Sequence, residues 1–88
     1  MVSRNVTVIN KAGLHARAAS KLVELTSMFA SEVQVGHDKM VDGKSILSLM
    51  MLAAAQGTEL TIEASGPDEE KALEATVALI NNRFGESE

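Results

Sequence analysis

The sequence predicts an α+β fold in which helices cover one face of a small sheet and the other face stays polar. Three observations carry this: stretches that alternate polar and apolar residues, stretches with apolar residues at steps of three and four, and turn residues separating them in the order βαββαβα. The chain has 88 residues, enough for one domain spanning residues 1–88 whose core needs no covalent staple.

A first strand is predicted over residues 3–9, where Val6 and Val8 alternate with Asn5, Thr7 and Ile9. A loop follows to Leu14. Over residues 16–29, Ala19, Leu22, Val23, Thr26 and Phe29 fall on one helical face, which should be core. Residues 32–35 and 39–41 read as the arms of a hairpin with Gly36-His37-Asp38 at its tip, and Asp42-Gly43-Lys44 ends it. Ser45 suits the N-cap of a second, short helix running to about residue 54, closed by Gly57 in the left-handed region.

Residues 59–64 alternate Leu60 and Ile62 with Glu59, Thr61 and Glu63, giving a fourth strand with one wet face. In Ser65-Gly66-Pro67-Asp68-Glu69-Glu70 the last helix starts, with Pro67 at its first position and three acids at the positive end of its dipole. Ala72, Leu73, Thr76, Leu79 and Ile80 form its buried stripe. Arg83 should complement its C-terminus and Gly85 end it.

Composition removes several functions. Eight Lys and Arg against 12 Asp and Glu give a net charge of −4, and the basic residues are scattered, which argues against a nucleic-acid partner. Phe29 and Phe84 are the only aromatic residues, so no base-stacking platform can form. Cysteine is absent, which excludes disulfides, thiolate metal sites and cysteine nucleophiles and fits an intracellular location. The longest apolar stretch, residues 46–55, is broken by Ser48 and falls short of the roughly 20 residues a membrane span needs. The first five residues lack a signal peptide's apolar region. A cytoplasmic protein without membrane insertion is expected.

The chemistry concentrates at Gly13-Leu14-His15-Ala16-Arg17, where a turn becomes a helix. A phosphoryl group or other anion on His15 would meet the unpaired N–H groups of the first helical turn, and Arg17 would bring a planar cationic fork. A capping or surface histidine, beside an ordinary exposed arginine, is the plainer reading of the same residues. No His, Cys or carboxylate stands three or four residues from His15, so no metal site is expected, and no cofactor is implied. Nor is there an activated serine motif. Covalent catalysis by a neutral imidazole remains, and the helix N-terminus favours an anionic adduct, which suits phosphoryl transfer. The other histidine, His37, reads as a solvated turn residue. Ile46, Leu47, Leu49, Met50, Met51 and Leu52 are apolar nearly all round the second helix, so part of that helix should be an exposed patch suited to partners. The acids at residues 68–70 need no role beyond a helix start.

Asn10-Lys11-Ala12-Gly13-Leu14-His15-Ala16-Arg17 and Lys44-Ser45-Ile46, with Gln56-Gly57-Thr58-Glu59-Leu60-Thr61-Ile62, closely resemble signatures of the HPr family of the bacterial phosphoenolpyruvate-dependent phosphotransferase system, over essentially the whole chain. The resemblance implies an open-faced β-sandwich, four antiparallel strands in the order 1-4-2-3 with three helices on one side. It also implies a carrier with a covalent phosphohistidine intermediate rather than a stand-alone enzyme. His15 would be phosphorylated on Nδ1 by enzyme I, with Arg17 assisting, and would pass the group to a histidine of an enzyme IIA-type acceptor. Ser45 matches the regulatory phosphorylation site, which requires a serine kinase/phosphorylase as partner.

Ala16, Lys21, Leu47 and Met50 are the expected partner-binding residues, with Arg17 and Lys21 at the rim, in a protein expected to act as a monomer. Ala18 departs from the family's usual proline, which should tune the loop rather than remove function. Leu49-Met50-Met51-Leu52 and the tail from Gly66 to Asn81 are similar to the nitrogen-related paralogue, whereas Lys44-Ser45-Ile46 is similar to the sugar-branch protein. A regulatory or nitrogen-related role acting mainly by protein binding is the alternative.

Overall fold

The computed structural model describes residues 1–88, in the order β1 (Val2–Thr7), α1 (Ala16–Thr26), β2 (Glu32–Gly36), β3 (Met40–Asp42), α2 (Ile46–Met51), β4 (Glu59–Ser65), α3 (Glu69–Asn81) and a short 3₁₀ turn, Arg83–Gly85. The sheet has the order β1-β4-β2-β3 with every pair antiparallel, as expected. Register follows the alternation: Val6 faces Leu60, and Val35 faces both Ile62 and Val41. One sheet face therefore collects Val6, Val33, Val35, Leu60, Ile62 and Ala64, all buried. On the wet face, Thr61 donates its hydroxyl to Asn5 Oδ1 at 2.8 Å.

The inner face is covered by α1, through Ala18, Ala19 and Leu22, and by α3, through Ala72, Leu73, Thr76, Val77 and Ile80. Phe84 fills the same core with no exposed surface. Helix α1 stops at Thr26, short of Phe29, and the Thr26 hydroxyl donates to the carbonyl of Gly43 at 2.9 Å. That bond ties the end of α1 to the turn before α2. Phe29 is only partly buried, packed against the core from the following loop.

Three sequence expectations about element ends are corrected. Helix α2 ends at Met51, and the left-handed residue that closes it is Ala53 (φ 51°), not Gly57, whose φ of 93° belongs to the turn entering β4. Ala53 pays a steric cost there that glycine would not. Pro67 lies outside α3, whose N-cap is Asp68, and Asp68 makes no side-chain bond to its own helix. Its carboxylate instead accepts the N–H groups of Ala30 (3.0 Å) and Ser31 (2.9 Å) and the Ser31 hydroxyl, clasping the α1–β2 loop to the start of α3. That hydroxyl first, then the two backbone donors, hold Asp68 below its ordinary carboxylate range. Gly85 does not end α3 either. The helix stops at Asn81, and Arg83, Phe84 and Gly85 are three successive left-handed residues (φ 57°, 53° and 80°) that reverse the chain and insert Phe84 into the core. Arg83 therefore lies beyond the helix end it was expected to complement.

Candidate functional site

The loop before α1 is built on close backbone approach. Gly13 has φ 71°, and a Cβ there would lie 2.5 Å from the carbonyl oxygen of Ala54, so glycine is required on both counts. Leu14 donates its N–H to that same carbonyl at 2.8 Å and buries its side chain. Asn10, wholly buried, crosses the loop from within and donates Nδ2 to the carbonyl of Gly13 at 2.8 Å.

The chain so held presents His15 as the N-cap of α1. Its backbone is extended (φ −84°, ψ −179°), and its ring Nδ1 accepts the N–H of Arg17 at 3.2 Å. The first intrahelical bond runs from Ala19 N–H to the His15 carbonyl at 2.8 Å. The first turn thus brings the Arg17 N–H to the ring, with those of Ala16 and Ala18 in the same turn. Ala18 supplies an N–H where proline would have none, and its side chain is wholly buried in the core.

The other ring nitrogen settles the tautomer. Nε2 bonds the Glu86 carboxylate, and the second oxygen of Glu86 accepts Asn10 Nδ2 at 2.9 Å. The Asn10 bond first and the His15 bond second hold Glu86 below its ordinary carboxylate range, and the charge of Lys21 adds to them. A backbone N–H can only donate and an ionised carboxylate can only accept, so Nε2 carries the proton and Nδ1 the lone pair. The lone pair of the ring therefore lies on Nδ1, at the start of α1.

An open cleft of about 630 Å³ adjoins Glu86, lined by Lys11, Arg17 and Lys21 together with Glu86 and Glu88. Arg17 is exposed, and so is Ala16. Lys21 is not simply a free rim charge, because its ammonium donates to the carbonyl of Phe84 at 2.9 Å.

Helix α2 packs beside α1 and holds Leu49 as its buried anchor. Leu47 and Met51 are 71% and 76% exposed, and Ile46 and Met50 about two-fifths exposed, so the apolar patch expected from the sequence is present. Half-buried Ser45 caps α2, with Oγ accepting the N–H of Ser48 at 3.2 Å. His37 is exposed in the hairpin tip, 3.4 Å from an Asp38 oxygen and 3.4 Å from the carbonyl of Leu52.

The structure thus gathers His15, Ala16, Arg17 and Lys21 at one end of α1, places Leu47 and Met50 on the neighbouring helix, and sets Ser45 at that helix's start. The sequence marked Asn10 and Lys11 only as part of the motif that carries the resemblance, with no contact of their own, and it gave no sign of Glu86. Glu86 follows His15 by 71 residues in a polar tail, and nothing in its spacing marks it. Asn10 carried a faint signal, as a polar residue next to a glycine-bearing loop.

Residues 2–82 match the family model PTS-HPr, described as the PTS HPr component phosphorylation site. The chain is 52% identical over 89 residues to the phosphocarrier protein HPr of Cupriavidus necator, covering 100% of both chains. It is 42% identical over 87 residues to the phosphocarrier protein NPr of Escherichia coli strain K12, covering 97% of each. Among solved structures, HPr-C-His from Thermoanaerobacter tengcongensis superposes with a TM-score of 0.95 at 42% identity over 100% of both chains.

Proposed function

Because the chain belongs to the HPr family of phosphotransferase-system phosphocarriers, we propose that His15 is its phosphoryl-carrying residue, loaded by phosphorylated enzyme I and unloaded onto a histidine of an enzyme IIA-type acceptor. The observation that carries this reading is the pair of bonds on the imidazole, Nε2 with the Glu86 carboxylate and Nδ1 with the Arg17 N–H, which turns the Nδ1 lone pair toward the N-terminus of α1.

In the transfer, the Nδ1 pair attacks phosphorus while the bond to the donor nitrogen breaks in line. Little covalent chemistry is left to the protein, so positioning and charge stabilisation carry the rate. Once Nδ1 is bonded to phosphorus, its role as acceptor for the Arg17 N–H passes to the phosphoryl oxygens, and the unpaired donors of Ala16 and Ala18 adjoin. The Arg17 guanidinium screens the charge of the incoming group, and Lys11 and Lys21 make the approach electropositive on a chain that is net negative.

Partners dock across Ala16 and the exposed face of α2, where Leu47 and Met50 act as apolar anchors and Arg17 and Lys21 set the encounter rate. Ser45 is a regulatory phosphorylation site beside those anchors, acted on by a serine kinase/phosphorylase. The protein works in the cytoplasm as a monomer. Incubation with phosphoenolpyruvate and enzyme I tests the reading: the wild-type protein should become labelled on His15, and His15→Ala should not become labelled while keeping its fold.

A nitrogen-branch or purely regulatory role is the second reading, favoured by the Leu49-Met50-Met51-Leu52 stretch. Comparing loading rates from sugar-branch and nitrogen-branch enzyme I separates the two.

A further inference from the structure

We propose that Met50 and Met51 form a reversible oxidation site that sets partner affinity: a peroxide converts their thioethers to sulfoxides and weakens docking on α2, and a dithiol-driven reductase restores it. The inference rests on the reading of the exposed α2 face as the partner surface.

The chain has five methionines and no cysteine, so thioethers are its only sulfur and the side chains a peroxide attacks first. Their placement differs. Met40 is half-buried in β3. Met1 and Met28 are each 77% exposed, but Met1 starts the chain beside Glu69 of α3, and Met28 follows α1 at the end opposite His15, roughly 16 Å of helix away. Met50 and Met51, 43% and 76% exposed, stand instead among the apolar residues of α2. Leu47 lies three and four residues before them, which puts all three on one side of the helix, while buried Leu49 holds the other. The bond from Leu14 to the Ala54 carbonyl sets this helix beside the His15 loop.

The surroundings suit a change at sulfur that spares the fold. Neither methionine belongs to the buried core. Met51 also borders an open cleft of about 380 Å³ shared with His37, Lys39 and Ser48, so the side chain is open to a water-borne oxidant and a sulfoxide there has polar neighbours.

With hydrogen peroxide, a lone pair on the thioether sulfur attacks one oxygen. The S–O bond forms as the O–O bond breaks, and the proton of the transferred hydroxyl passes to the departing hydroxide, giving water. Sulfur is oxidised by two electrons and the peroxide is reduced by two. A dithiol reverses the step by supplying two electrons and two protons, so that the sulfoxide oxygen leaves as water and the dithiol becomes a disulfide. The sulfoxide replaces a flexible apolar side chain with a polar one, and a polar group buried without a partner at an apolar contact opposes association. His15 and its bonds take no part, so the capacity to carry a phosphoryl group persists while access to partners falls.

The test treats wild type, Met28→Leu and the double variant Met50→Leu with Met51→Leu with hydrogen peroxide and maps the sulfoxides by peptide mass spectrometry. Enzyme I binding is then read by calorimetry, and loading of His15 from phosphoenolpyruvate by steady-state kinetics. Oxidised wild type and oxidised Met28→Leu should bind enzyme I at least about tenfold more weakly than before treatment, the loss expected when apolar anchors are removed. The loss should fall on the KM of loading with kcat kept, and both proteins should keep cooperative melts. The double variant should hold its own untreated affinity within about twofold, since leucine presents a similar apolar volume that peroxide leaves alone. Sulfoxide reductases for both epimers, with a dithiol, should restore wild type. If the double variant does not fold, that restoration decides alone.

Four results would each overturn the proposal: Met50 and Met51 left unmodified while Met1 and Met28 oxidise, both sulfoxides present with binding unchanged, an equal loss in the double variant, or a loss that the reductases do not reverse. Loss of the cooperative melt on oxidation overturns it as well. If Leu47→Glu binds enzyme I like wild type, the docking surface itself falls and the oxidation site with it. If Leu47→Glu binds weakly while oxidised wild type does not, only the oxidation site falls.

Discussion

Leu14 and Ala54 share a 2.8 Å hydrogen bond, N–H to carbonyl, that joins the loop carrying His15 to the segment leaving α2. The His15 loop and the exposed apolar face of α2 are therefore two parts of one braced surface. Gly13 sits against the same carbonyl with no room for a side chain. Gly13→Ala should cost about 1 to 3 kcal/mol of stability through forced backbone strain, measured by urea unfolding, and should slow loading of His15. Wild-type stability in that variant would mean that the brace is loose.

The Asp68 clasp predicts an acid-sensitive fold. Its carboxyl is lowered from an ordinary value of 3.8, chiefly by the Ser31 hydroxyl, so its contribution is fully present above about pH 4 and is lost as pH falls through the lower folded-state value. Asp68→Asn should flatten the decline of melting temperature on acidification below pH 4. An identical acid profile in the variant would show that the clasp does not couple to folding.

On α2, exposure separates binding residues from core. Leu47→Glu and Met50→Glu should weaken enzyme I binding at least about tenfold, as expected for apolar anchors, while melting within about 0.5 kcal/mol of wild type, because neither side chain is buried. Leu49→Ala should instead cost about 2 to 5 kcal/mol, since Leu49 is wholly buried. Titration calorimetry and thermal melts read the two effects, and loss of a cooperative melt in the Leu47 variant would place that residue in the core.

Ser45 separates capping from regulation. Ser45→Ala removes the acceptor for the Ser48 N–H and should cost about 0.5 to 2 kcal/mol. Ser45→Asp keeps a capping oxygen and adds charge beside Leu47 and Met50, so it should melt near the wild-type temperature yet load from enzyme I much more slowly. A phosphoserine, with about −1.5 to −2 charges, should act in the same direction. Unchanged loading in the aspartate variant would leave Ser45 as a cap only.

Periodicity made the strands, the helices and their order legible, because a two-residue or 3.6-residue repeat is fixed by which face is buried. The left-handed turns were not legible. Ala53, Arg83 and Phe84 carry side chains that normally avoid positive φ, and only packing of the whole chain forces them there. Asp68 was read as a dipole partner because a carboxylate at a helix start suits that role, whereas its donors come from a loop 37 and 38 residues earlier. At the site, His15 and Arg17 stood out because they lie in one short motif at a helix start. Glu86 meets the ring from 71 residues away, a contact that no local pattern encodes.

Phosphorus–nitrogen NMR of protein labelled with ¹⁵N-histidine, after loading with phosphoenolpyruvate and enzyme I, reads which nitrogen carries the phosphoryl group. A single phosphoryl group bonded to Nδ1 of His15 is the expected result. A phosphoryl group on Nε2 of His15, or on His37, would contradict it.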